Sequence, residues 1–220
     1  MNEFFRQLTQ LNSYLWILPV VVGLFRWNRL TFPLKVYVIG AACSTLIVYL
    51  CLYLKLRNLA FYCMPLLGSV IFGLMFQDLL KNVVHPTLIR ALVACIWVSI
   101  ISYILKYSIH DFQLRVTIPY DIIMLLFSVI YLVHRLKYSS VIADSLFYIV
   151  LIFFVDFAVN LFLDLMSNYL KTYFSDNFMH LLWNKILPVF NLIKISLLSI
   201  TFWSVKPKLP SLDKIPSFEK

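Results

Sequence analysis

The sequence predicts an all-α integral membrane protein, a bundle of about seven transmembrane helices. Of its 220 residues 62% are hydrophobic and only 13% are charged, whereas soluble domains are usually about half apolar and one quarter charged. The apolar residues also form continuous runs of about 15 to 25 residues, which as helices can cross a bilayer. Strands of membrane barrels alternate apolar and polar residues over about ten positions, so helices are favoured.

Seven apolar runs account for nearly all of residues 1–205, which we predict to be a single seven-helix domain. The loops between them are short, so the chain has no room for a separate soluble domain. No small-x-small cleavage site follows the first run, which is therefore expected to remain as the first span. The runs are Leu11–Phe25, Val36–Leu54, Leu59–Phe76, Leu88–Leu105, Ile118–Val133, Val141–Leu163 and Leu181–Val205.

Residues 206–220 form a basic tail with four lysines and three prolines. Proline cannot continue a helix, so we expect this tail to be flexible. Two roles are open for it. The lysines suit an anchor to anionic lipid headgroups, and the same segment suits docking to a cytoplasmic or membrane protein partner.

Lysines and arginines near the ends of the runs are divided unequally between the two sides of the membrane. The positive-inside rule then predicts a cytoplasmic C-terminus and an outer N-terminus. These residues are scattered rather than grouped in a stripe, so nucleic acid is not an expected partner and the lipid bilayer is. The richer side carries Arg26, Arg29, Lys35, Lys81, Arg90, Arg135, Lys137, Lys206, Lys208, Lys214 and Lys220.

Lys194 is the most informative residue because it lies near the middle of the last run. A charge at the bilayer centre costs about 2.5–3.5 kcal/mol on insertion scales, and Lys194 is too deep for its side chain to reach the membrane surface. Asp156 lies at a similar depth in the sixth run, which is antiparallel to the seventh. We therefore predict that Lys194 and Asp156 face each other inside the bundle.

Other polar residues extend this pattern into a predicted pocket for a ligand or an ion between helices 3, 6 and 7. Helical spacing puts Asn160 on the face of Asp156, and Asn184 and Asn191 on the face of Lys194. In the third run Asn58 and Tyr62 share a face. The alternative is that these residues only hold the helices together, with each polar contact worth about 0.6 kcal/mol.

No motif indicates an enzyme, a metal site or a cofactor. The four cysteines lie within apolar runs without a C-x-x-C spacing, the histidines do not converge, and neither H-E-x-x-H nor G-x-S-x-G occurs. A lysine in the seventh helix is similar to the retinal-binding lysine of rhodopsins. The third run, however, has no acid before Asp78 that could act as the usual counterion, so retinal is not expected.

Two segments, LPVVVGLFRWNRL (18–30) and RNLAFYCMPLLGS (57–69), resemble a group of small, uncharacterised bacterial seven-helix membrane proteins. That group is related to sensory modules that precede histidine kinases. Asn58 and Tyr62 match its pattern in the third span, whereas Ser69 stands where the group tends to carry an acid. The resemblance implies the seven-helix fold and the bacterial cytoplasmic (inner) membrane.

The function predicted first is a non-enzymatic receptor or sensor-like scaffold. It would use the polar pocket and pass its state to a partner through the inner loops and the basic tail. The second candidate is a small transporter or channel that uses Asp156 and Lys194 as an ion or proton site. The third is a structural or assembly subunit of a membrane complex.

Overall fold

A computed structural model of the chain describes residues 17–107, 116–138, 145–173 and 181–205, together with Gln7, Leu15 and Phe178. This part of the chain is entirely helical and contains no strand. A 3-10 turn at Trp27–Arg29 follows the first helix, and a π-helical turn at Leu182–Ile186 precedes the last. The seven α-helices are α1 (Ile17–Phe25), α2 (Phe32–Tyr53), α3 (Arg57–Leu79), α4 (Pro86–Tyr107), α5 (Ile118–Tyr138), α6 (Ser145–Tyr173) and α7 (Leu187–Ser204).

Six of these helices, α2 to α7, are long and apolar enough to cross a membrane. A helix satisfies its own backbone hydrogen bonds, so its apolar side chains can face lipid directly. Of these six helices α4 is the least buried, since only 17% of its spanning segment is covered by the rest of the protein. The fold is therefore the predicted helical membrane bundle, and the chain is a multi-pass membrane protein in contact with the bilayer.

The helices form a closed ring. Helix α1 packs against both α2 and α7, and the ring continues through α3, α5 and α6, with α4 placed outside α3 and α5. Successive helices alternate in direction because their connections are short. One end of the bundle therefore carries Arg26, Arg29, Lys35, Lys81, Arg90, Arg135 and Lys137, and we call it the basic end.

Two glycines allow neighbouring helices to approach closely. A Cβ atom at Gly23 would overlap the side chain of Val38 on α2, and one at Gly40 would overlap Ile71 on α3. Small residues at such crossings are the usual means of packing helices in lipid, where hydrophobicity itself gives no preference for protein over lipid. The α1–α2 and α2–α3 contacts therefore depend on the absence of a side chain at these two positions.

Aromatic side chains fill the half of the ring nearer the basic end. The ring of Tyr37 lies 5.9 Å from that of Phe72, 4.9 Å from Phe153 and 5.8 Å from Phe202. Phe72 and Phe153 also meet edge to face at 4.9 Å. We call these four residues the aromatic layer; it joins α2, α3, α6 and α7 across the interior.

The helix bounds differ from the apolar runs mainly in the sixth. Helix α6 continues about ten residues beyond Leu163, the end of the predicted run, and reaches Tyr173. The run ends where polar residues begin, but the backbone remains helical. Of the first run, the structure describes Leu15 and the residues from Ile17 onward. The predicted flexible tail at 206–220 lies outside the described residues.

We predict that Gly40→Ala lowers the free energy of unfolding by about 1–3 kcal/mol, because the new methyl group overpacks the α2–α3 crossing. Combining it with Ile71→Ala restores part of the loss, since the space is then available. Ala42→Leu, at an exposed position of the same helix, is the matched control. Equal effects of Gly40→Ala alone and with Ile71→Ala in detergent unfolding would contradict the prediction.

Candidate functional site

Lys194 and Asp156 form an ion pair inside the bundle, as their depths predicted. The Nζ atom of Lys194 donates a hydrogen bond to Oδ1 of Asp156 at 2.6 Å. The side chain of Lys194 is 7% exposed and that of Asp156 is 17% exposed. Lys194 lies about ten residues before the end of α7 at Ser204, or about 15 Å along the helix, so the pair sits near the middle of the span.

Two tyrosines adjoin the ion pair. Tyr37 on α2 and Tyr120 on α5 both lie close enough to Asp156 for its charge to act on them. Tyr120 packs edge to face on Phe157 at 5.7 Å, and its hydroxyl group lies where a side chain at Gly68 would be. Gly68 thus gives the Tyr120 hydroxyl its place between α3 and α5.

The local backbone at the start of α7 is unusual. Pro188 is buried and has no N–H group to donate to the preceding turn. The chain forms the π-helical turn Leu182–Ile186 there, in which the N–H of Leu187 donates to the carbonyl of Leu182. Such turns occur frequently at functional sites. This one comes about two turns before Lys194, on the side away from the basic end.

A pair of buried carboxyl groups lies in the same half of the bundle. Asp121 on α5 is 2% exposed, and Asp164 on α6 is 7% exposed. The two groups lie within hydrogen-bonding reach of each other, and the Thr117 hydroxyl donates to Asp164 Oδ2. Ionised carboxylates have only acceptor atoms, so a hydrogen bond between these two groups requires a proton on one of them.

The ion pair and the carboxyl pair are electrostatically connected, because the charge of Asp156 also acts on Asp121. Asp156, which pairs with Lys194, is thus linked electrostatically to the Asp121–Asp164 pair. With one proton on the Asp121–Asp164 pair, the four groups carry a net charge of about −1. The arrangement can therefore hold a proton or attract a cation. In the described part of the chain, no cluster of His, Cys, Asp and Glu has a metal-binding arrangement.

The other residues of the predicted pocket are placed differently. Asn191 is partly exposed one turn before Lys194, whereas Asn160 is exposed on the surface of the bundle. The backbone of Asn184 belongs to the π-helical turn, but its side chain lies outside the described residues. On α3, Tyr62 is fully buried and Asn58 is partly exposed at the start of the helix.

Ser69, the remaining polar residue of the α3 face, points to α4. Its hydroxyl accepts a hydrogen bond from Nε1 of Trp97 at 3.0 Å and donates to the carbonyl of Leu66. It therefore ties α3 to α4 and does not extend toward α6 or α7. The groups that the structure brings to the ion pair come from α2, α5, α6 and α7.

Sequence reasoning missed the carboxyl pair. Asp121 lies in the first turn of α5, where an acid is ordinarily explained by the helix dipole. The signal was nevertheless available. Asp121 near the start of one span and Asp164 near the end of the next span have similar depths, which is the argument that paired Lys194 with Asp156.

Neither a family model, nor a curated protein, nor a solved structure matches the chain.

We predict that Lys194→Met and Asp156→Leu, made separately, each lower the free energy of unfolding by about 3–5 kcal/mol, because each leaves one buried charge unpaired. The double variant recovers most of that loss, since neither member of the ion pair is then left without its partner. Unfolding in detergent micelles measures this, with Ser196→Leu on the exposed face of α7 as control. A double variant as unstable as the sum of the singles would contradict a buried pair.

We also predict a protonated carboxyl group at neutral pH in the Asp121–Asp164 pair. Infrared spectra should contain the C=O stretch of a carboxylic acid that shifts in D₂O. Asp121→Asn and Asp164→Asn should each remove this band. In either variant the new amide group donates the hydrogen bond, so the remaining carboxyl group no longer needs a proton and ionises. Asp78→Asn, which alters a partly exposed acid paired with Lys81, should leave the band. A band that survives both variants would contradict the shared proton.

Proposed function

We propose that the protein is a non-enzymatic membrane receptor or sensor-like scaffold whose site surrounds the Lys194–Asp156 pair. The single observation that carries this proposal is the asymmetry of the bundle interior. Charged and hydroxyl groups from α5, α6 and α7 occupy one half, and the aromatic layer fills the half toward the basic end. A polar half that packed rings separate from the basic end suits detection of a proton, cation or polar ligand from the other side.

The proposal extends to topology and partners. The resemblance to bacterial seven-helix sensory modules supports the bacterial cytoplasmic membrane, with the N-terminus outside and the C-terminus in the cytoplasm. In this topology the polar half faces outward and the basic end faces the cytoplasm. Signals would pass along α7 to a protein partner bound by the basic tail at 206–220.

A small transporter or channel is the second candidate, and a specific observation favours it. The buried carboxyl pair beside an ion pair gives a proton two alternative positions, which a proton-coupled transporter needs. Transport also requires a polar path across the bilayer. The aromatic layer lies across that path in the described structure, with Tyr37 and Phe153 in contact at 4.9 Å. The structural subunit is the third candidate, supported by the ion pair alone.

Proton flux and a conformational reporter together test the proposal. In liposomes that contain a pH-sensitive dye, we expect no proton flux above that of empty liposomes. A fluorophore on Ser204→Cys, in a variant without native cysteines, reports from the basic end of α7. We expect Asp156→Asn to change its emission, because loss of the carboxylate charge releases Lys194 and shifts α7.

The control for this experiment is Ser196→Asn, which adds an amide on the exposed face of the same helix and should leave the emission unchanged. Proton flux that Asp156→Asn abolishes would replace the sensor with the transporter. An emission that responds to neither variant, in a protein without flux, would leave only the structural role.

A further inference from the structure

We propose that the basic end, at the contact between α1 and α7, binds the phosphate group of an anionic phospholipid. The proposed site consists of Arg26, Arg29 and Lys35 with the indole rings of Trp27 and Trp203, and we call it the basic patch. It depends only on the protein being embedded in a bilayer, and not on the proposed sensor function.

The basic patch holds two of its three cations over aromatic rings. The guanidinium carbon of Arg26 lies 4.1 Å from the ring centroid of Trp203, and Nζ of Lys35 lies 5.1 Å from that of Trp27. Stacking on an indole face positions a cation without neutralising it. Within the described ranges, no carboxylate forms an ion pair with Arg26, Arg29 or Lys35.

Two buried polar atoms of this region also lack partners. Nε of Arg26 and Oγ1 of Thr31 are inaccessible to solvent, and neither has a hydrogen-bond partner among the residues that the structure describes. They flank the short turn Trp27–Arg29. Arg26 as a whole is only partly buried, and a phosphate oxygen accepts charge-assisted hydrogen bonds from a guanidinium group.

The surroundings favour a phospholipid over free phosphate. The patch lies where α1 and α7 end and α2 begins, which is the depth of the headgroups, and tryptophan is enriched at that depth. Next to the cations, Leu24, Phe25 and Phe32 are 56%, 80% and 62% exposed. These side chains provide an apolar surface for acyl chains directly beside the cations that would hold the phosphate.

Native mass spectrometry with added phosphatidylglycerol measures the dissociation constant of the first bound lipid. We expect Arg26→Gln to raise this dissociation constant at least about tenfold, in keeping with the loss of a charge-assisted hydrogen bond. Lys35→Gln should raise it less. Arg26→Lys retains the charge but not the planar guanidinium group with its several donors, so its dissociation constant should lie between those of the wild type and Arg26→Gln. Lys81→Gln is the matched control, because it removes an exposed cation of the same end that already pairs with Asp78.

Three further measurements complete the test. Phosphatidylcholine, whose choline cation offsets the charge of its phosphate, should bind the wild type more weakly than phosphatidylglycerol does, and glycerol phosphate without acyl chains should bind far more weakly than either lipid. Unfolding in phosphatidylcholine micelles checks that Arg26→Gln still folds; if it does not, the comparison of Arg26→Lys with wild type decides. Equal losses for Lys81→Gln and Arg26→Gln, or equal affinity for phosphatidylcholine and phosphatidylglycerol, would overturn the proposal. Glycerol phosphate binding as tightly as the lipid would also overturn it, as would a patch that binds a protein partner and no lipid.

Discussion

The structure depends on one ammonium group that is buried near the middle of the membrane. Lys194 is too far from either surface to reach water, so it requires Asp156 at 2.6 Å, and that contact fixes the relative height of α6 and α7. Because α7 also packs on α1, the same contact helps to close the ring of helices. Hydrophobicity gives helices in lipid no preferred neighbour, so a buried ion pair is a strong source of specificity in this bundle.

The charges around Lys194 do not balance, and this imbalance gives the site its chemical character. Asp156 neutralises the ammonium group, so the predicted single proton on the Asp121–Asp164 pair would leave one negative charge there. The hydroxyl group of Thr117 donates to Asp164 and stabilises that charge. A purely structural ion pair does not need two further buried acids. Their presence in the same half of the bundle is the reason for proposing a binding or sensing site there and not an internal brace alone.

Much of the fold could be predicted from the sequence, because length and hydropathy are local properties. The depth argument also found the Lys194–Asp156 pair, since antiparallel neighbours convert residue number into height. The direction in which each polar side chain faces, toward the bundle interior or toward its surface, could not be predicted. Asn160 lies four residues from Asp156, which rotates it by about 40° around the helix, and at that position the side chain is exposed. Ser69 is buried and accepts a hydrogen bond from Trp97 on α4, a partner that hydropathy does not reveal, and Asp121 resembled an ordinary acid at a helix start.

Helix α7 connects the two regions in which charge is concentrated. Lys194 and Trp203 are nine residues apart on this helix, about 13 Å along its axis, and Trp203 carries the stacked guanidinium group of Arg26. On the two proposals made above, a change in proton occupancy near Asp156 would act on the position of α7 through the ion pair, and a lipid phosphate bound by Arg26 would act on it through Trp203. If both ligands favour different positions of one helix, each must alter the affinity of the other by the same factor. The aromatic layer lies between the ion pair and Arg26 and includes Phe202 of α7, so a displacement of that helix must also move these closely packed rings.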